Sequence, residues 1–148
     1  MKKELSTPIA IIIFNRPDYV VRLIDILRSV KPKLVYVIAD GPRDHVETDA
    51  QLCAASRLAI EQIDWPCEIH RRFLDKNLGC GHAPASGLDW VFSNEETCIV
   101  LEDDCLPHVS FFRFCEEMLD LYRDNKRVMM ISGNNHLSRG WRSGHCLY

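Results

Sequence analysis

The chain of 148 residues has the length of one ordinary domain and is long enough to bury a real core. Its 47% hydrophobic content argues against disorder, and its formal net charge of -3 excludes broad electrostatic attraction to nucleic acid or anionic lipid. The apolar run Ile9 to Phe14 is too short for a signal-peptide core or a membrane span. No transmembrane segment and a cytoplasmic location are therefore expected. The seven cysteines are odd in number, show no CxxC spacing and sit partly inside apolar runs, which predicts buried free thiols. The six histidines are scattered, so a structural zinc site is not expected.

Ile9 to Phe14 reads as a first strand buried on both faces. Pro17-Asp18 opens a helix whose core stripe is Val20, Ile24, Leu27 and Val30. Leu34 to Ala39 is a second strand, ended by Asp40-Gly41-Pro42. A second helix is predicted over Asp44 to Ile63, with Asp44 and Glu47 at capping-box spacing and Val46, Ala50, Cys53, Ile60 and Ile63 facing inward. Cys67 to Leu74 alternates and reads as a strand nearer the sheet edge. Asn77 to His82 is a glycine-containing loop, and Pro84 to Phe92 a short helix with Trp90 on its inner side. Thr97 to Leu101 is a fourth strand. Phe111 to Tyr122 is a helix with Phe111, Phe114, Cys115, Met118 and Leu121 inward, and Val128 to Ile131 is a fifth strand. Ser132 to Tyr148 carries no clear element.

This order predicts a single α/β domain over residues 1–148, with a mainly parallel sheet and helices on both faces. Ligands in such sheets bind beyond the carboxyl ends of the strands. Here those ends are Asn15-Arg16, Asp40-Gly41, Asp75-Lys76-Asn77, Glu102-Asp103-Asp104 and Ser132-Gly133-Asn134-Asn135. The three consecutive acids follow an apolar run that reads as buried. Adjacent like charges raise one another's pKa unless a cation or hydrogen-bond donors hold them. A divalent metal that also holds a phosphate-bearing ligand is the most economical explanation, and carboxylate oxygens suit Mg²⁺ or Mn²⁺. Extended geometry would put Glu102 and Asp104 on one side and Asp103 on the other. An aspartate such as Asp40 can accept from a pyrimidine N–H, and an arginine such as Arg16 can contact a base carbonyl. The segment Asp75 to Ala83 has flexible glycines before a helix start, which suits the approach of an anion, although its lone Gly79-Cys80-Gly81 is a weak signal and a plain strand-to-helix loop is the alternative.

Five pieces together are similar to the nucleotide-diphospho-sugar transferases of the GT-A (Rossmann-like) fold, most of all to the N-acetylglucosaminyltransferase I family and its bacterial relatives. They are Pro8 to Pro17, Val37 to Gly41, the Asn77 loop with its helix, Ile99 to Asp104 and Ile131 to Asn135, in the family's order. The most specific is Glu102-Asp103-Asp104, a version of the DxD motif followed by a proline and an aromatic helix. The resemblance implies a metal-dependent glycosyltransferase with a UDP-sugar donor, UDP-N-acetylglucosamine favoured, and Mn²⁺ (or Mg²⁺) as cofactor. It implies that Asp104 binds the metal, Asp103 bonds to the ribose and Glu102 faces the sugar. Phe14, Arg16 and Asp40 would line the uracil site, and Asn77 or a neighbour would cover the nucleotide. The acceptor would be a glycan or another hydroxyl compound. In the family the general base lies beyond the segment matching Ser132 to Asn135, whereas Asp124 is the last acid here. The chain is therefore expected to be the donor-binding half, without the acceptor-binding part or a catalytic base, and to show weak or no transfer alone.

A non-catalytic module binding a nucleotide, nucleotide sugar or metal is the alternative from another class. A sugar-nucleotide-forming nucleotidyltransferase would want a glycine-rich loop after the first strand, where Phe14-Asn15-Arg16-Pro17 has no glycine. A dinucleotide-binding dehydrogenase fails for the same reason. A phosphoacceptor receiver domain would need acids there.

Overall fold

The computed structural model describes residues 5–133. Its elements are β1 (Ile9–Ile13), α1 (Pro17–Val30), β2 (Leu34–Ala39), α2 (Asp49–Ala59) with a 3-10 turn over Ile60–Gln62, β3 (Glu68–Phe73), α3 (Gly79–Phe92), β4 (Ile99–Glu102) and α4 (Ser110–Tyr122). The four strands form one parallel sheet in the order β3-β2-β1-β4. Ile11 of β1 stands between Val37 of β2 and Leu101 of β4. The chain winds from β1 outward to β3, then crosses back past β1 to β4. The direction of winding thus reverses between β1 and β4, and the crevice at such a reversal is where parallel sheets take ligands.

One face of the sheet carries Ile9, Ile11, Ile13, Val35, Val37, Ile99 and Leu101, packed with Leu23, Ile24 and Leu27 of α1, Ile60 after α2 and Phe112 of α4. The other face carries Ala10, Tyr36 and Ile38 with Val91 of α3. Helices thus cover both faces, as the strand–helix alternation requires. α3 lies close on β2, because a Cβ on Gly87 would stand 2.5 Å from Ile38 Cγ2. α4 is tied to the start of β1 by buried Glu116, whose Oε1 accepts from the N–H groups of Ser6 at 2.7 Å and Thr7 at 3.1 Å.

Several elements depart from expectation for identifiable reasons. α2 begins at Asp49, not Asp44, because residues 43–48 turn back so that Asp49 can accept from the N–H of Arg43. Asp44 and Glu47 consequently form no capping box, and Ala50 is exposed. α3 begins at Gly79, so residues 79–82 are helical rather than loop. Pro84 is tolerated inside it, leaving only the Cys80 carbonyl without its helical donor. β4 is an edge strand with alternating burial, and Val100 is 37% exposed, so it is not buried on both faces. In α4 the inward stripe centres on Phe112 and Cys115, while Leu121 is 66% exposed. Val128 to Ile131 forms no strand: Met129 and Met130 are 96% and 83% exposed, and nothing pairs with their backbone groups in a ladder. An apolar run becomes a strand only where a partner accepts its ladder and a face accepts its side chains. The Asn134-Asn135 end of the expected fifth strand lies outside the described residues.

The thiols are more varied than expected. Cys53 and Cys115 are buried, whereas Cys80 and Cys105 are exposed. Burial pushes the Cys98 thiol up to about 12 and the Cys115 thiol up to about 11, which keeps both protonated and unreactive. Among the described residues no helix is long and apolar enough to cross a membrane.

Replacing Phe112 by Ala empties a fully buried site and should cost about 3–5 kcal/mol. Leu121→Ala, on the exposed side of the same helix, should stay within about 0.5 kcal/mol of the parent. Urea midpoints of the two variants test which stripe of α4 faces the core.

Candidate functional site

A cavity of about 410 Å³ opens at the carboxyl edge of the sheet. Ile12 of β1 and Ile38 of β2 supply apolar surface, and Ala83 and Pro84 of α3 line it from the helix side. Six polar-end or aromatic residues named from the sequence meet there: Phe14 and Arg16 after β1, Asp40 after β2, Asn77 before α3, and Glu102 and Asp103 at β4. Residues from four separate chain segments thus converge on the crevice between β1 and β4 and on the adjoining end of β2.

Asp40 organises one side of this cavity. Its Oδ1 accepts from the N–H groups of Gly41 at 2.8 Å and Leu78 at 2.9 Å. Its Oδ2 accepts from Gly79 N–H at 2.9 Å and Asn77 Nδ2 at 3.0 Å. These four bonds match the acceptor capacity of a carboxylate. They satisfy early N–H donors around the start of α3, which lack partners within the helix. Asn77 Nδ2 also donates to the Gly41 carbonyl at 2.8 Å. Asp40 is therefore first a clamp between β2 and the start of α3, and a base N–H reaching it would have to displace one of these donors. Gly41 is required by proximity: a Cβ there would stand 2.4 Å from the Lys76 carbonyl carbon. Arg57 reinforces the junction by donating to the carbonyls of Asp40 at 3.0 Å and Leu74 at 2.6 Å.

The acid triplet diverges. Glu102 and Asp104 are exposed, while Asp103 is buried at 5% exposure. The side-to-side alternation expected from extended geometry persists into the turn, since Asp103 N–H still donates to the Ile12 carbonyl at 3.0 Å. Asp103 Oδ2 accepts from Phe14 N–H at 3.3 Å. Arg16 Nη1 reaches both Asp103 Oδ1 at 3.1 Å and Asp104 Oδ2 at 2.6 Å. Asp103 and Asp104 are thus held by an arginine of the chain and, for Asp103, by a backbone donor as well. Arg16 has its own proton held more firmly, first by the hydrogen bond to Asp104 and then by the charge of Asp103. Burial nevertheless pushes the Asp103 carboxyl up, against the opposing pull of Arg16 and the Phe14 N–H.

A second ion pair lies beside the first. Asp49 is fully buried, and its carboxylate accepts from Arg43 Nε at 2.6 Å, Arg43 Nη2 at 3.0 Å, Arg43 N–H at 3.2 Å and Asn15 Nδ2 at 2.8 Å. The Arg43 guanidinium carbon stands 5.4 Å from the centre of the Phe14 ring, within cation–π range. Arg43 lines the cavity as well. The hydrogen bond from Arg43 holds the Asp49 carboxyl well below the usual carboxylate range, with Asn15 adding to the effect against the cost of burial. Neither Arg43 nor Asp49 stood out in the sequence. Arg43 follows an ordinary turn signal and Asp49 sits in a helix first turn, so each had a local explanation.

Among the described residues no group of three or more His, Cys, Asp or Glu side chains is placed to hold a metal ion. Glu102 and Asp104 are the exposed carboxylates of the triplet: Glu102 lines the cavity, whereas Asp104, its side chain 45% exposed, lies outside the lining and adjoins Asp103, which is part of it. That donor set fits a Mg²⁺- or Mn²⁺-type ion shared with ligand phosphates, and does not fit an all-protein cage. Cys80 also lines the cavity. Compared with known proteins, the chain matches no protein-family model, and no solved structure matches it.

Two measurements test this construction. The folded state depresses the Asp49 pKa, so the folded protein holds fewer protons than the unfolded chain across the carboxylate range. The stability this group contributes is present above pH 4 or so and is lost as pH falls towards the folded pKa. Asp49→Asn should lower the urea midpoint at pH 7 and flatten its fall between about pH 5 and pH 3. Gly41→Ala should cost about 1–3 kcal/mol, because the methyl group meets backbone instead of a flexible side chain. Unchanged melting of that variant would contradict the close approach to Lys76.

Proposed function

We propose that this chain binds the donor of a GT-A-type glycosyltransferase, taking a UDP-sugar, with UDP-N-acetylglucosamine favoured, together with Mn²⁺ or Mg²⁺. The observation that carries the reading is the convergence of Phe14, Arg16, Asp40, Asn77, Glu102 and Asp103 on one cavity at the reversal of a parallel sheet. Those six are among the seven residues the sequence resemblance marks, the seventh, Asp104, lying outside the cavity lining, and they come from four segments that only the fold brings together. The apolar contribution of Ile12 and Ile38 suits the face of a base or ribose, and the charged rim suits a diphosphate with its cation.

In this reading Asp104, which adjoins the lining residue Asp103, would hold the metal, and Asp103 would bond to the ribose. Glu102 faces the sugar. Phe14 offers its ring beside the base, and Asn77 closes the side nearest α3. The bound ion supplies charge stabilisation for the nucleoside diphosphate leaving group. Arg16 has a double part. It holds Asp103 and Asp104 together when no other cation is present, and its half-exposed guanidinium is then available to ligand oxygens when the acids turn to another cation. Transfer proper needs a carboxylate base for the acceptor hydroxyl, and this reading assigns none among the described residues.

A second reading is a non-catalytic module that binds a nucleotide without metal. The pairing of Arg16 with both aspartates favours it, because the acids are satisfied within the chain.

Calorimetric titration of UDP-N-acetylglucosamine, with Mn²⁺ and with chelator, separates the two. The glycosyltransferase reading expects metal-dependent heat that disappears in Asp104→Ala. Equal binding in chelator would favour the metal-free module. No heat with this donor or with UDP would remove both nucleotide readings.

A further inference from the structure

Arg16 is one of the residues that the resemblance places at the uracil site, yet its guanidinium is engaged with Asp103 and Asp104 on the β4 side. Arg43 is the other arginine lining the cavity, and it stands on the opposite side of β1, beyond the end of β2. Adjacent strands lie about 4.8 Å apart, so the ends of β2 and β4 are separated by about 10 Å. The acid-bearing end and the Arg43 end of the cavity are therefore distinct. A nucleoside diphosphate with its phosphates near the acids would direct its base towards Phe14 and Arg43.

Arg43 is also built to be rigid. Its Nε and Nη2 engage the two oxygens of Asp49, a planar fork-to-fork arrangement. Asp49 is in turn held by Asn15 and is fully buried. The guanidinium lies over the Phe14 ring, while the Arg43 side chain as a whole remains 42% exposed. No bond to Asp49 uses Nη1. A guanidinium locked along one edge, stacked on an aromatic ring and bordering a cavity presents a fixed donor, which is what recognition of a carbonyl oxygen requires.

We infer that Arg43 is a specificity-determining residue of the nucleotide site, donating from Nη1 to a carbonyl oxygen on the edge of a uracil base, and that Asp49 is the positioning residue that holds it there. The inference rests on the nucleotide-binding reading given above. It extends that reading by moving base discrimination from Arg16 to Arg43. A donor at the carbonyl that uracil carries in place of the cytosine amino group would favour UDP over CDP, because the amino group is itself a donor and would leave both groups unpaired.

The test is titration of UDP and of CDP, each with Mn²⁺, into the parent protein and into Arg43→Gln, Arg43→Lys and Asp49→Asn, with melting curves run alongside. The parent is expected to bind UDP more tightly than CDP. Arg43→Gln should weaken UDP about tenfold to a hundredfold, the effect of one charge-assisted hydrogen bond, and bring the UDP-to-CDP ratio close to one. Arg43→Lys keeps the charge and stem but not the fork, so it should stay folded and still lose the ratio. Asp49→Asn should reduce the ratio with Arg43 still present, which a purely structural role would not do. A parent that prefers UDP while both folded Arg43 variants keep that preference would overturn the inference and leave nucleotide binding intact. A parent that binds neither nucleotide would overturn nucleotide binding itself and this inference with it. An unchanged ratio in folded Asp49→Asn would remove the positioning role of Asp49.

Discussion

The carboxylate of Asp40 is the interaction on which the geometry of the cavity depends. It gathers four donors from Gly41, Asn77, Leu78 and Gly79 at a point where a strand end meets a helix start. Around the start of α3 N–H groups have no intrahelical partners, and buried donors left unpaired are destabilising. One buried acid resolves that problem and simultaneously fixes where α3 lies relative to β2. The close packing of Gly41 on Lys76 and of Gly87 on Ile38 then leaves little freedom for the helix to shift. The wall formed by Ala83 and Pro84 follows from that placement.

The cavity rim is organised as two neighbouring ion pairs of different character. Arg16 with Asp103 and Asp104 is half exposed and has one acid, Asp103, that burial disfavours in its charged form. Arg43 with Asp49 has a fully buried acid that its partner strongly favours in its charged form. The first arrangement is suited to rearrange when another cation or an anion arrives, since its members gain modestly from one another in solvent. The second is suited to stay, since opening it would strand a buried charge. A site with one adjustable and one fixed arginine can accommodate a charged group at one end and discriminate shape and hydrogen bonding at the other.

Much of the core was legible because periodicity is a local property. The Ile-rich run at residues 9–13 and the LVYVIA run at 34–39 are short, rich in β-branched residues and followed by turn signals, as buried strands are, and the spacing of Val20, Ile24 and Leu27 fits a core-facing helix. The acid triplet at a strand end was legible for the same reason. What local pattern misjudged were places where a distant partner overrides propensity. Asp49 accepts from Arg43 and Asn15 and so sets the start of α2, against a capping-box spacing five residues earlier. Val128 to Ile131 has strand composition but pairs with no strand among the described residues, and composition alone does not build a ladder.

By itself the sequence determined the alternation of strands and helices, hence a parallel α/β sheet, and with it the list of polar groups at the strand ends. This follows because side-chain period and strand-to-helix connection are written in consecutive residues. Only the tertiary structure decided which of those groups meet and what holds them. Asp40 bonds to residues 37 to 39 positions away, and Arg16 bonds to acids 87 and 88 positions away. Arg43 finds its ring in Phe14, from a different strand end. Such pairings depend on strand order and on which crossover passes over which face, and no run of neighbouring residues encodes them one by one. The charge of an acid triplet is therefore visible in the sequence, but whether an arginine of the same chain neutralises it is a property of the folded molecule.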